Sequence, residues 1–222
     1  MRKRRKATPE AGSVAEPVEE TPPAGPAVEG PRAHGPFDVS EHPVDEEDES
    51  RAHLGALSIA GHPEVELRLQ VDEGSGNVVA VMLVAKDGAM ELRAFAAPRN
   101  EDLWDEIRPK LAAEAARRGG TATPVEGPYG TALHMVVPGV TPDGQKVTQP
   151  QTVLGIAGPR WLLRVTAFGR PAQEYRPDGL LETVLRSVVV NRGNQPMAPG
   201  EALPLVLPGR AQRVEPPVQP PV

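Results

Sequence analysis

The sequence predicts an α+β domain, a mainly antiparallel sheet with two helices packed on it, flanked by tails that do not pack. Three observations carry this. Apolar residues recur with period two in two groups of short segments. Helical spacing occurs in only two segments, one after each group. The connections inside each group are turns too short for a parallel crossover. A doubly wound nucleotide fold is disfavoured, because strand and helix do not alternate.

Composition sets the boundaries. Residues 1–50 hold 12 Asp/Glu, 6 Lys/Arg and 8 Pro, so the net charge of -6 resides there. With almost no large apolar side chains, this arm cannot offset the entropy of ordering and is expected to be disordered. Residues 51–193 form the expected α+β domain, with a core of Val, Leu, Ile and Ala because aromatics are only 3 %. Residues 194–222 form a Pro-rich extension. Within it, 197–198 and 203–207 are expected to lie extended over the domain surface, with disorder after about residue 209.

In 64–71, Val65, Leu67, Leu69 and Val71 alternate with Glu64, Glu66, Arg68 and Gln70, a strand with one buried face. Turn residues 72–77 lead to 78–84, apolar on both faces and hence interior. Lys86, Asp87 and Gly88 turn the chain into 90–96, completing a three-stranded meander. Asn100 is placed to cap a helix carrying Leu103, Trp104, Ile107, Leu111 and Ala115, ended by Gly119 and Gly120. Pro109 predicts a kink or a helix restarted there. Strands over 121–126, 131–137, 147–156 and 161–168 follow, separated by Gly- and Pro-containing turns. Asp178 then caps a second helix bearing Leu180, Leu181, Val184, Leu185 and Val188 and running to Arg192, although 188–190 reads equally as a short final strand.

Several segments carry a family likeness in their order along the chain: 92–99, 103–108, Gly119-Gly120, Gly127-Pro128-Tyr129-Gly130, 158–164, 188–193 and Pro196-Met197-Ala198-Pro199. Together they resemble an actinobacterial family catalogued as domain of unknown function 3710, over about residues 36–210. The resemblance implies a cytosolic protein without an assigned activity and brings no catalytic residue to any position. Pro109 and a shortened polar loop over 140–149 depart from the family pattern. The order of elements also resembles the PsbP-like topology.

The residues exclude much chemistry. No cysteine is present, which removes disulfides, thiolate nucleophiles and cysteine metal sites. His34, His42, His53, His62 and His134 lack metal-ligand spacing, so neither metal nor cofactor is expected. The basic start is followed by Pro9, Glu10 and Glu16 rather than an apolar run, and no apolar stretch is long enough to span a bilayer, so a cytoplasmic location is expected.

What remains are binding candidates. Glu66, Arg68, Gln70, Glu91, Arg93, Arg164 and Thr166 alternate with the core set and are expected to share one sheet face, as a solvated ladder or a polar recognition surface. Trp161 is read as a core anchor or, if exposed beside its Gly158-Pro159 turn, as an interaction hot spot, and Tyr129 is a candidate contact in a hairpin turn. Arg2, Lys3, Arg4, Arg5 and Lys6 are candidates for polyanion contact, with nucleic acid or an anionic membrane surface as partner. The leading expectation is a non-catalytic protein-interaction or adaptor domain. The alternatives are a small-molecule-binding domain or enzyme using Arg93, Arg164, Glu66 and His134 in a pocket between sheet and helix, and polyanion binding through the basic arm.

Overall fold

A computed structural model describes residues 29–99, 101–140 and 143–208. Its elements are β1 (Phe37–Asp38), β2 (Arg51–His53), β3 (Leu57–Ala60), β4 (Glu66–Val71), β5 (Val78–Ala85), β6 (Gly88–Ala96), α1 (Leu103–Arg117), β7 (Thr121–Gly127), β8 (Gly130–Val140), β9 (Lys146–Gly158), β10 (Trp161–Gly169), α2 (Leu180–Arg186) and β11 (Val189–Val190). Two antiparallel meanders, β4-β5-β6 and β7-β8-β9-β10, join edge to edge where β6 pairs with β10, from Trp161 opposite Ala96 to Gly169 opposite Gly88. The result is a seven-stranded antiparallel sheet in the order β4-β5-β6-β10-β9-β8-β7. The α+β class and the antiparallel pairing expected from the sequence are both present.

The sheet buries its two faces differently. Met90, Leu92 and Ala94 of β6 and Leu163, Val165 and Ala167 of β10 point toward a small second sheet and α2, where they meet Leu57, Ile59, Leu181, Leu185 and Val188. On the opposite face, Leu162, Val153, Leu133, Met135 and Val137 lie beneath Leu103, Trp104 and Ala115 of α1. β10 therefore contributes apolar side chains to both cores, as a central strand must.

Helix α1 is seated by two features. Asp102 accepts the amide of Trp104 at 2.9 Å, capping the helix. This is two residues later than the cap expected at Asn100, which falls outside the described residues. The Trp104 ring then lies flat over Gly155 of β9, where a Cβ would fall inside the indole, and its Nε1 donates to the Thr131 carbonyl at 2.7 Å. Helix α1 is continuous through Pro109. Pro109 faces solvent, so the Asp105 carbonyl it leaves without an amide partner lies on the side where water can reach it. Helix α2 is shorter than expected, starting after Gly179 rather than at an Asp178 cap and giving way to β11. Three consecutive β-branched valines favour extended backbone.

The domain begins earlier and ends later than composition indicated. Residues 29–50, expected in the disordered arm, carry β1, which pairs in parallel with β11 in a four-stranded sheet of order β1-β11-β3-β2. Polar anchors replace the apolar surface this segment lacks. Trp161 Nε1 donates to Asp38 Oδ2 at 2.8 Å, Arg32 lies 5.2 Å over the same indole, and Arg32 forks onto Glu41 with two 2.9 Å bonds. At the other end, the extended stretch expected on the surface pairs with β6. The Leu203 amide donates to Ala94 and the Ala96 amide to Glu201, at 2.9 and 2.8 Å, and Leu203 is buried. The Ala56 and Val206 amides donate to the Pro204 and Leu54 carbonyls, tying this segment to the small sheet.

Gly155→Ala should lower unfolding free energy by about 1–3 kcal/mol through overpacking against Trp104. Urea unfolding followed by tryptophan fluorescence measures this directly.

Candidate functional site

The register places Glu66 and Arg68 of β4, Met82 of β5, Glu91 and Arg93 of β6, and Arg164 and Thr166 of β10 on one sheet face. Arg68 lies opposite Met82, Met82 opposite Glu91, Glu91 opposite Thr166, and Arg93 opposite Arg164. This is the face that carries α1. The helix packs on β7, β8 and β9, which leaves the β4–β6 side open.

On the open side Arg68 donates to Glu66 at 2.6 Å, and that bond is the main cause holding the Glu66 carboxyl below its ordinary range. Both groups are more than half exposed, so the pair adds little to stability. Further in, Arg93 donates to both oxygens of Glu91, at 2.9 and 3.4 Å. Arg164 stacks 5.3 Å over the Phe95 ring and makes no ion pair or hydrogen bond among the described residues. Burial, and then the Arg93 charge, hold its guanidinium below the usual arginine range, while Glu91 acts the other way.

Beside Arg164 the sheet and the C-terminal half of α1 border a half-open cleft of about 270 Å³. Its floor is Met135, Val137, Val153 and Phe168 with Thr166 and Gln151 between them, and Leu111, Glu114 and Arg118 form its helical wall.

The other sequence candidates lie elsewhere. Trp161 is fully buried, so it anchors the core and is unavailable as a surface hot spot; it packs against Gly158, where a Cβ would overlap the indole. Tyr129 turns inward from the β7–β8 hairpin and donates to Glu182 Oε1 at 2.7 Å. His134 points away from the Arg164 face, with Nδ1 3.1 Å from the Thr152 hydroxyl, which donates to the Ala172 carbonyl. Glu66 sits on an edge strand. Arg93, Arg164, Glu66 and His134 therefore do not converge, and the four-residue catalytic pocket considered from the sequence is not formed. Among the described residues no three His, Asp or Glu side chains converge as metal ligands. Arg2, Lys3, Arg4, Arg5 and Lys6 lie outside the described residues.

One cluster escaped the sequence reading. Glu182 on α2 is 3 % exposed and sits among Tyr129, Tyr175 and Arg186, with Arg186 Nε 3.3 Å from Oε1. The spacing of Glu182 and Arg186 signals a helical ion pair. Part of its cover is Tyr129, brought 53 residues along the chain by the β7–β8 hairpin, which no local pattern encodes. Burial raises the Glu182 carboxyl above its ordinary value, and the Tyr129 hydroxyl and Arg186 oppose that rise. The Tyr129 phenol is pushed well above its range, first by burial and then by the Glu182 charge.

Fold and site together define an α+β domain with a helix-lined cleft and a half-open, mixed-charge sheet face. The chain belongs to the family described as Protein of unknown function (DUF3710), whose model matches residues 35–214. No curated protein matches it. Among solved structures it is similar to the solution structure of cyanobacterial PsbP (CyanoP) from Synechocystis sp. PCC 6803. That likeness has 12 % identity and a TM-score of 0.33 and covers 61 % of this chain and 86 % of that one, a level that carries nothing about chemistry. Among the described residues no helix is long and apolar enough to cross a membrane.

A carboxyl whose folded pKa is raised holds its proton longer in the folded state than in the unfolded one. Stability contributed by Glu182 should thus be full below its ordinary value of 4.5 and fall as pH rises through the raised value. Glu182→Gln should flatten this fall, as seen in melting temperatures recorded from pH 4 to 8.

Proposed function

We propose that the chain is a cytosolic, non-catalytic protein-interaction domain whose partner lies across the open half of the seven-stranded sheet. The observation that supports it is the half-covered sheet face. Helix α1 shields β7–β9, while Glu66, Arg68, Met82, Glu91 and Arg93 form a continuous floor of alternating charge around an apolar methionine. Charges of both signs at fixed spacing give register and selectivity to an association more than raw affinity. An edge strand beside that floor adds unpaired backbone groups to which an extended segment can bond. The placement of Glu66 and His134 away from the adjacent Arg93 and Arg164 supports the non-catalytic part of the reading, because a nucleophile or general base requires partners within hydrogen-bond reach.

The test is capture of cytosolic proteins by the full chain compared with the Arg68→Glu/Arg93→Glu double variant, with circular dichroism as the check on folding. A protein retained by the first and lost from the second is the expected result. Identical capture by both chains contradicts the proposal.

A further inference from the structure

We infer that the cleft beneath the C-terminal half of α1 is a carboxylate-binding site, taking a short apolar acid whose carboxylate rests on Arg164. This goes beyond the sheet-face reading and stands or falls separately from it.

Charge accounting carries the argument. Four ionised side chains line the cleft: Glu91, Glu114, Arg118 and Arg164. Both carboxylates are already engaged outside it, Glu91 with Arg93 and Glu114 with Arg117. The two guanidinium groups are not, since neither Arg118 nor Arg164 makes an ion pair among the described residues. Two guanidinium groups without a protein ion pair therefore border one small cavity, Arg164 from the floor, where Glu91 offsets part of its charge, and the exposed Arg118 from the rim.

The neighbours of Arg164 also favour an anion beside it. It stands directly opposite Arg93 on the neighbouring strand, and like charges in that relation destabilise a sheet. Its guanidinium is half-buried against Phe95, has no protein acceptor among the described residues, and keeps its N–H donors within reach of solvent and of a ligand. An anion in the cleft offsets the like charge of Arg93 and accepts from N–H donors that have no protein partner.

The remaining lining sets the class of anion. Leu111, Met135, Val137, Val153 and Phe168 are apolar, while Thr166 and Gln151 offer neutral hydrogen bonds. An apolar body with one charged end fits that division. A phosphate dianion fits poorly: much of the lining is apolar, and no cradle of backbone amides is present among the residues that line it. At about 270 Å³ the cleft lies at the lower edge of ordinary ligand sites, which restricts the occupant to a short chain.

The probe is hexanoate, titrated into the full chain and followed by amide resonances, with hexanol as the uncharged control of equal length. Hexanoate should shift Val153, Met135 and Thr166 saturably, and hexanol should not. Arg164→Gln should weaken hexanoate binding by about tenfold or more, while Lys86→Gln, on the exposed β5–β6 turn, should leave it unchanged. Without any acid, Arg164→Gln should melt at or above the wild-type temperature, since it removes a repulsive, unpaired cation. Equal binding of hexanol, undiminished binding by Arg164→Gln, or a melting temperature several degrees lower in that variant would overturn the inference. The last result would make Arg164 a structural partner of Phe95. None of these outcomes bears on partner capture through Arg68 and Arg93, so the two readings fail independently.

Discussion

The indole of Trp161 is the constraint on which the architecture turns. It stands at the start of β10, the strand that joins the two meanders, and is wholly enclosed. Its one polar atom, Nε1, needs an acceptor once removed from water, and Asp38 of β1 supplies it at 2.8 Å. Because β1 belongs to the small sheet, this bond adds a buried polar tie between the two sheets to the apolar packing and the 201–206 segment that also join them. Arg32 over the ring and Glu41, which accepts from Arg32, extend the tie to the segments on both sides of β1. A polar, proline-containing stretch thereby becomes part of the fold without contributing much apolar area. Its order depends on hydrogen bonds to charged groups, which are stronger than neutral ones.

A second constraint decides which part of the large sheet stays open. The Trp104 ring fits only over a residue without a side chain, and Gly155 on β9 is that residue. Helix α1 is thus held over β7–β9, and Arg164 and Glu91 line the cleft along its C-terminal half. A large side chain at 155 would push the helix off this seat. Gly155, together with the apolar contacts of Leu103, Leu111 and Ala115, fixes where α1 sits and so where the cleft and the open polar face lie.

Much of this was legible in the sequence where periodicity was strong. The alternation of Val65, Leu67 and Leu69 with Glu66, Arg68 and Gln70 places the charged set on one face, and the observed register carries that face across to Arg93 and Arg164. The parity of β8 also carried a signal: His134 lies between Leu133 and Met135, whose burial under α1 sends the histidine to the opposite face. Strands β1, β2 and β3 were not legible, being two to four residues long and too short to show a period. The Glu182 cluster and the Trp161–Asp38 bond join residues 53 and 123 positions apart, respectively, and only the completed fold brings them together.

A double-mutant cycle between Asp38→Ala and Trp161→Phe, measured by urea unfolding of the full chain, tests the central claim most directly. If the Asp38–Trp161 bond holds the two sheets together, the single changes will be strongly non-additive, with a coupling of about 1–3 kcal/mol. Additive effects would mean that β1 and β10 are stabilised separately, and would contradict the account.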